Sequence, residues 1–225
     1  MRFLFKTDYR QDIRLFKHGG QVFWYAALLL ALAVAPWLLP DYWVSQLVFI
    51  CIYAIASIGL TVLVGFTGQV SLGHAAFLAM GAYTEAYLQS HGWPFALSLA
   101  FSALVSGATG IIVGLPALRV KGMYLAIATM AFGFIVEEGM ARAEGFTGGN
   151  AGRMLGPLEV FGLPIDSDQR FYYLALFILI LVVLGVMNLL RSPTGRAFVA
   201  IRDSEISAQS MGINLARYKT TAFAL

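Results

Sequence analysis

Side chains able to handle a small polar solute are few in this chain, and three of them gather in one stretch, "GFTGQVSLGH", residues 65–74. Gln69, Ser71 and His74 lie there between two long apolar runs, offering an amide, a hydroxyl and an imidazole. Gly65 and Gly68 break the preceding run. Non-helical backbone at membrane depth is tolerated only when buried in protein or lining a water-filled cavity. A helix that starts at such depth can also offer free N–H groups to a carboxylate. These residues are therefore candidates for a substrate path. Equally, they read as a tight turn whose polar side chains cap the next helix. Thr129 joins the candidates, sharing a helical face with Gly133 four residues on; its hydroxyl can instead bond a backbone carbonyl of its own helix. The histidines, His18, His74 and His91, have no metal-ligand spacing. One cysteine, Cys51, excludes an internal disulfide and a cysteine-rich metal cluster.

A second informative stretch is "SPTGRAFVAIRDSEISAQSMGINLARYKTTAFAL", 192–225. A helix is expected from Gly195, with Phe198 and Ile201 apolar. Ser204 is an N-cap for a second helix ending at Gly212. That short helix is expected to present Ile206, Ala208, Met211 and Ile213 beside a polar face. Its charges are mixed, which favours a groove on a cytoplasmic partner over the membrane surface. The segment 141–170 carries "FTGGNAGR" at 146–153, where Gly148, Gly149 and Gly152 permit unusual backbone shapes. No lysine follows in phosphate-loop spacing, so this is not a nucleotide site.

These stretches have to be positioned by a membrane protein. The 225 residues are 59% hydrophobic and only 12% charged, with mean hydropathy +0.76, against about 25% charged in soluble domains. A net charge of +3 without a dense Lys/Arg patch on a polar surface excludes a nucleic-acid binder. Six spans are expected, at about 21–39, 43–64, 70–89, 95–118, 122–140 and 171–190. The first resembles a secretory signal, but its length and Pro36 mark it as retained. A seventh is expected to start near Thr220, and the chain then reads as incomplete at its C-terminus. The expected class is thus an all-α, polytopic helical membrane protein forming one domain over 1–225. An N-terminus in the cytoplasm puts segment 1–20, Arg119, Lys121 and segment 191–219 inside, with 141–170 outside. Twelve of the fifteen Lys and Arg residues then face the cytoplasm, the excluded three being Arg142, Arg153 and Arg170. Small residues recur every fourth position at Ser98, Ser102, Ser106, Gly110 and Gly114, and at Ser71, Ala75 and Ala79, as helix packing in lipid requires. Glu85 is expected to snorkel to the interface.

Four ordered motifs, "GLTVLVGFTGQVSLGHAAFLAMGAY", "GMYLAIATMAF", "FTGGNAG" and "GRAFVAIRDSEISAQSMGINLARYKTTAF", resemble the permeases of branched-chain amino acid ABC importers. Urea and short-amide permeases belong to the same group. The resemblance covers roughly 60–225. It implies a bacterial cytoplasmic-membrane subunit that binds no cofactor and leaves ATP to partner ATPases. The implied partners are a second permease of similar fold, two cytoplasmic ATPases, an external solute-binding protein and the lipid. It further implies that Glu205, Ser207, Ala208, Gly212 and Arg217 form the ATPase-coupling segment, with Ser207 where the general Glu-Ala-Ala…Gly pattern has alanine and Ile206 inserted. The chain has no Walker-type loop, so it is not itself an ATPase. The alternative is an ion- or proton-coupled secondary transporter, for which Glu85 and the pair Glu137–Glu138 are the available carboxylates.

Overall fold

In hydrocarbon a chain must satisfy its own backbone, so the long apolar runs become helices. The computed structural model describes residues 19–225 apart from 119, 121, 157, 161 and 162. The basic N-terminal segment 1–18, with Arg119 and Lys121, therefore lies outside the described residues. Helices α1 (Gly19–Leu38) and α2 (Asp41–Leu60) come first, and a π-helical turn over Thr61–Phe66 prolongs α2. Next are α3 (His74–Ser90), α4 (Phe95–Ala117) and α5 (Met123–Arg142). A short α6 (Glu144–Thr147), a 3-10 turn and a hairpin of β1 (Leu158–Val160) with β2 (Leu163–Ile165) lead to α7 (Asp168–Arg191). Three shorter helices close the described chain: α8 (Pro193–Asp203), α9 (Glu205–Ser210) and α10 (Leu215–Ala224).

Among the described residues, five helices are long and apolar enough to cross a membrane: α1, α2 with its π-turn, α4, α5 and α7. The third expected span departs from its predicted bounds. Helix α3 has 17 residues and starts only at His74, because 69–73 is not helical and is held by other elements. Ser71 therefore precedes the helix on which its spacing placed it. The seventh helix starts at Leu215, five residues earlier than expected, where Asn214 accepts a cap bond from the Arg217 N–H. Segment 141–170 is more ordered than a loop, since it includes α6 and the β1–β2 hairpin.

Two apolar clusters fix the packing. In the first, Val44, Val48 and Cys51 of α2 meet Tyr172, Ala175 and Leu176 of α7, so these helices run parallel. In the second, Val62, Leu63, Phe77, Leu125, Phe198 and Phe223 unite the π-turn, α3, α5, α8 and α10. As α2, α4 and α7 finish at one end of the bundle, that end holds Arg191, Arg196, Arg202, Arg217 and Lys219. Arg142, Arg153 and Arg170 lie at the opposite end, so the described basic residues segregate as the sequence pattern requires.

Helix α1 shows how a break is repaired in lipid. Pro36 has no N–H for the Leu32 carbonyl one turn back. The Tyr172 hydroxyl donates to that carbonyl at 2.9 Å, and the Tyr173 hydroxyl donates to Ala33 at 2.8 Å.

The small-residue stripe of α4 serves two neighbours, because each fourth residue turns about 40° further round a helix. Ser98 and Ser106 face α3, donating to Glu85 Oε1 at 2.6 Å and to the Phe77 carbonyl at 2.9 Å. Glu85 consequently does not snorkel; it accepts from Ser98 and from Gln89 and cross-links α3 to α4. Gly110 and Gly114 instead lie against α10. A methyl group on Gly110 would overlap the Phe223 carbonyl, whereas one on Gly81 would stand 3.8 Å from Ser106 Cβ. Gly110→Ala is thus expected to cost about 1–3 kcal/mol, and Gly81→Ala to be neutral. Thermal unfolding of the detergent-solubilised chain checks both, and equal midpoints for the two variants would contradict the close α4–α10 contact.

Candidate functional site

The break after α2 is built from its own residues. Gly68 has φ +69° and its N–H bonds the Val64 carbonyl, while the Gln69 N–H bonds Leu63 at 3.1 Å. The Thr67 hydroxyl also donates to the Leu63 carbonyl. The chain then runs to His74 without helical structure. Side chains alternate as in a strand, with Gln69 and Ser71 buried and Val70 and Leu72 exposed.

Contacts with α2, α5 and α10 pin this segment. The Leu72 N–H donates to Thr129 Oγ1 of α5 at 3.0 Å, and that hydroxyl donates to the Ala126 carbonyl at 2.9 Å. Gly73 sits so close to the Thr129 carbonyl that any Cβ would collide with it. At the start of α3, His74 Nε2 lies 3.2 Å from the Ala56 carbonyl of α2. Since a carbonyl only accepts, Nε2 carries the proton. Gln69 Nε2 donates to Thr67 Oγ1 at 3.1 Å and reaches the Lys219 carbonyl of α10 at 3.5 Å.

Helix α3 therefore begins well inside the bundle, against the second turn of α5 and beside Gly59 of α2. Its N-cap, Gly73, supplies no side-chain bond. Gln69 Oε1, Ser71 Oγ and His74 Nδ1 are buried atoms without a partner among the described residues. A cavity of about 550 Å³ runs between α3 and α5 from Leu72 and Gly73, past Ala79, Tyr83 and Glu137, to Gly149. Of the four expected path residues, Gln69, Ser71, His74 and Thr129, none forms the cavity wall. Thr129 holds Leu72 by its hydroxyl, and Gln69, Ser71 and His74 flank Leu72 and Gly73 in sequence. Tyr83 and Glu137 do line it; the sequence offers Glu137 only as a relay carboxylate of the proton-coupled alternative, and Tyr83 gives no signal within its apolar run.

At the opposite pole of the site, α8, α9 and α10 form a pinned unit. Arg202 Nη1 of α8 donates to the Gly65 carbonyl at 3.0 Å, closing the C-terminal end of the π-turn. Ser204 Oγ accepts from the Ser207 N–H at 3.3 Å and starts α9. Gly212, at φ +82°, allows Ile213 N–H to bond the Ala208 carbonyl and ends it. Ile206 and Met211 project at 79% and 83% exposure, while Ala208 is 1% exposed. The expected apolar row of Ile206, Ala208, Met211 and Ile213 is thus split, with Ala208 turned inward. Arg217 is exposed. Glu205 Oε1 accepts from Lys219 Nζ at 2.5 Å, and the lysine side chain is 5% exposed. Lys219 was missed in the sequence, although helical spacing puts it on one face with Leu215, Ala222 and Phe223.

A bundle of apolar helices, one of them starting at depth behind a broken segment, with a capped helical unit at one end, defines an all-α polytopic membrane protein. Residues 42–225 match the family described as branched-chain amino acid transport system / permease component, and the chain belongs to that family. It is 38% identical over 223 residues to the high-affinity branched-chain amino acid transport system permease protein LivM of Salmonella typhimurium, and equally to LivM of Escherichia coli. The alignments take in 88% of this chain and 52% of each relative, so the chain spans about half the length of the curated relatives it matches. No solved structure matches.

Thr129→Val keeps the shape but leaves the Leu72 N–H without an acceptor, at a cost of about 1–3 kcal/mol. Amide exchange at Leu72 is expected to accelerate in this variant while exchange in the middle of α7 stays unchanged. Unaltered protection at Leu72 would show that Thr129 does not hold the segment.

Proposed function

We propose that the chain is the membrane subunit of an ATP-driven importer for branched-chain amino acids or related small solutes such as urea or short amides. The observation that carries this reading, beside family membership, is α9: a capped helix anchored to the bundle that turns Ile206 and Met211 outward. Two exposed apolar side chains on a short rigid helix suit a groove on a water-soluble partner. In this reading the partner is one of two ATPase subunits, and the end of the bundle rich in Arg and Lys is cytoplasmic. The N-terminal end of α1 lies at that same end. A second permease and an external solute-binding protein complete the complex in the bacterial cytoplasmic membrane.

Closure of the ATPases would displace α9, and the pinned α8–α10 unit would carry that displacement into the bundle. The α3–α5 cavity, which extends from the glycine-rich turn at Gly149 down to Gly73, is the outer part of the path. Its wall of Ala75, Ala79, Met130 and Gly133 suits an apolar side chain, while Tyr83 and Glu137 offer polar partners to a charged end. Of the carboxylates that a proton-coupled mechanism would use, Glu85 is bonded to Ser98 and Gln89 and Glu138 pairs with Arg142 at 2.5 Å, while Glu137 lines the cavity.

Ile206→Asp with Met211→Asp alters only exposed side chains, so membrane insertion should persist while the ATPase subunits no longer co-purify. Gly212→Val forces a β-branched residue to positive φ and should abolish ATP-coupled uptake, again with insertion intact. Uptake of leucine, valine, urea and acetamide by the complete complex reads both out. Wild-type uptake rates in these variants would refute the assignment of α9.

A further inference from the structure

The Glu205–Lys219 pair joins the exposed helix α9 to α10, which enters the bundle. We infer that Lys219 is the positioning residue through which motion of α9 is transmitted to α10 and on to the broken segment 67–73. This rests on the reading of α9 as the ATPase contact. It goes beyond that reading by naming the intramolecular joint.

The argument is one of unequal costs. Lys219 is 4% exposed, and a charge so far from water is tolerated only beside its counter-charge. Nζ lies 2.5 Å from Glu205 Oε1. Moving α9 away alone would part the ammonium group from that counter-charge although the lysine side chain is only 5% exposed. Moving α10 with it keeps the pair closed. The joint therefore resists stretching, and α10 follows α9.

The same residue reaches the site on its backbone side. Gln69 Nε2, donating to Thr67 Oγ1, also points to the Lys219 carbonyl at 3.5 Å. The segment beginning at Gln69 ends at Leu72 and Gly73, which form the inner end of the α3–α5 cavity. Phe223, one helical turn beyond Lys219, packs on Phe77 of α3 with ring centroids 6.5 Å apart. A displacement of α10 thus acts on both sides of the break, on the non-helical segment through Gln69 and on the helix after it through Phe77.

The test uses the full-length chain assembled with its partner subunits in proteoliposomes, comparing wild type, Lys219→Met and the exchange Glu205→Lys with Lys219→Glu. ATP hydrolysis with and without loaded binding protein, and uptake, are measured per assembled complex, so a lower yield does not enter the result. Lys219→Met should retain the ATPase subunits and basal hydrolysis, yet lose about tenfold in stimulated hydrolysis and uptake, the scale of a single coupling interaction. The exchanged pair should recover most of that loss. Stimulation by Lys219→Met at the wild-type level overturns the inference, and so does an assembled exchange variant no better than Lys219→Met. A merely structural lysine would lower yield and basal hydrolysis together. A wild-type complex without an ATPase subunit would instead sink the importer reading itself.

Discussion

The structure depends on one requirement: every peptide group within the hydrocarbon must find its hydrogen-bond partner inside the protein. Five helices meet it by their own ladders. Between α2 and α3 the ladder stops, and the non-helical residues 69–73 need partners supplied from elsewhere. Thr129 gives its hydroxyl to the Leu72 N–H. Leu63 and Val64 give carbonyls to Gln69 and Gly68. The resulting break is specific because few side chains could replace these donors and acceptors. The cavity between α3 and α5 owes its inner end to this arrangement, since a helix continuing through 69–73 would fill that space.

The end of the bundle that carries α8, α9 and α10 obeys a different rule. Water is available there, helices are short, and each start is secured by a side chain: Ser192, Ser204 and Asn214 all accept a backbone N–H. None of α2 to α5 has such a cap. The two regimes meet at α10, whose first turn is capped like a surface helix and whose buried face joins the membrane core. Arg202 on the Gly65 carbonyl and Lys219 on Glu205 cross that boundary. In both cases a long cationic side chain links a water-side helix to the interior.

What the sequence made legible was local. Hydropathy located the long helices, and the capping residue Ser204 marks a helix start because a cap needs only its own next turn. The break was visible in Gly65 and Gly68, yet its extent was not. Val70 and Leu72 count as apolar in any hydropathy window, and the alternation with Gln69 and Ser71 is too short to separate a strand from a helix. Ala208 was assigned to the outer face because a six-residue helix is too short for periodicity to decide. Glu85 and Lys219 were misread or missed for a shared reason: their partners, Ser98 and Glu205, lie 13 and 14 residues away on other elements. A tertiary partner leaves no trace in local pattern.

The repair at Pro36 has a consequence for the order in which this chain is assembled. The Leu32 carbonyl obtains its donor from Tyr172, 140 residues later in the sequence. During synthesis the first helix enters the bilayer with that oxygen still unmet, and only the arrival of α7 completes it. The contact between α1 and α7 therefore closes only after the segments between them have been made.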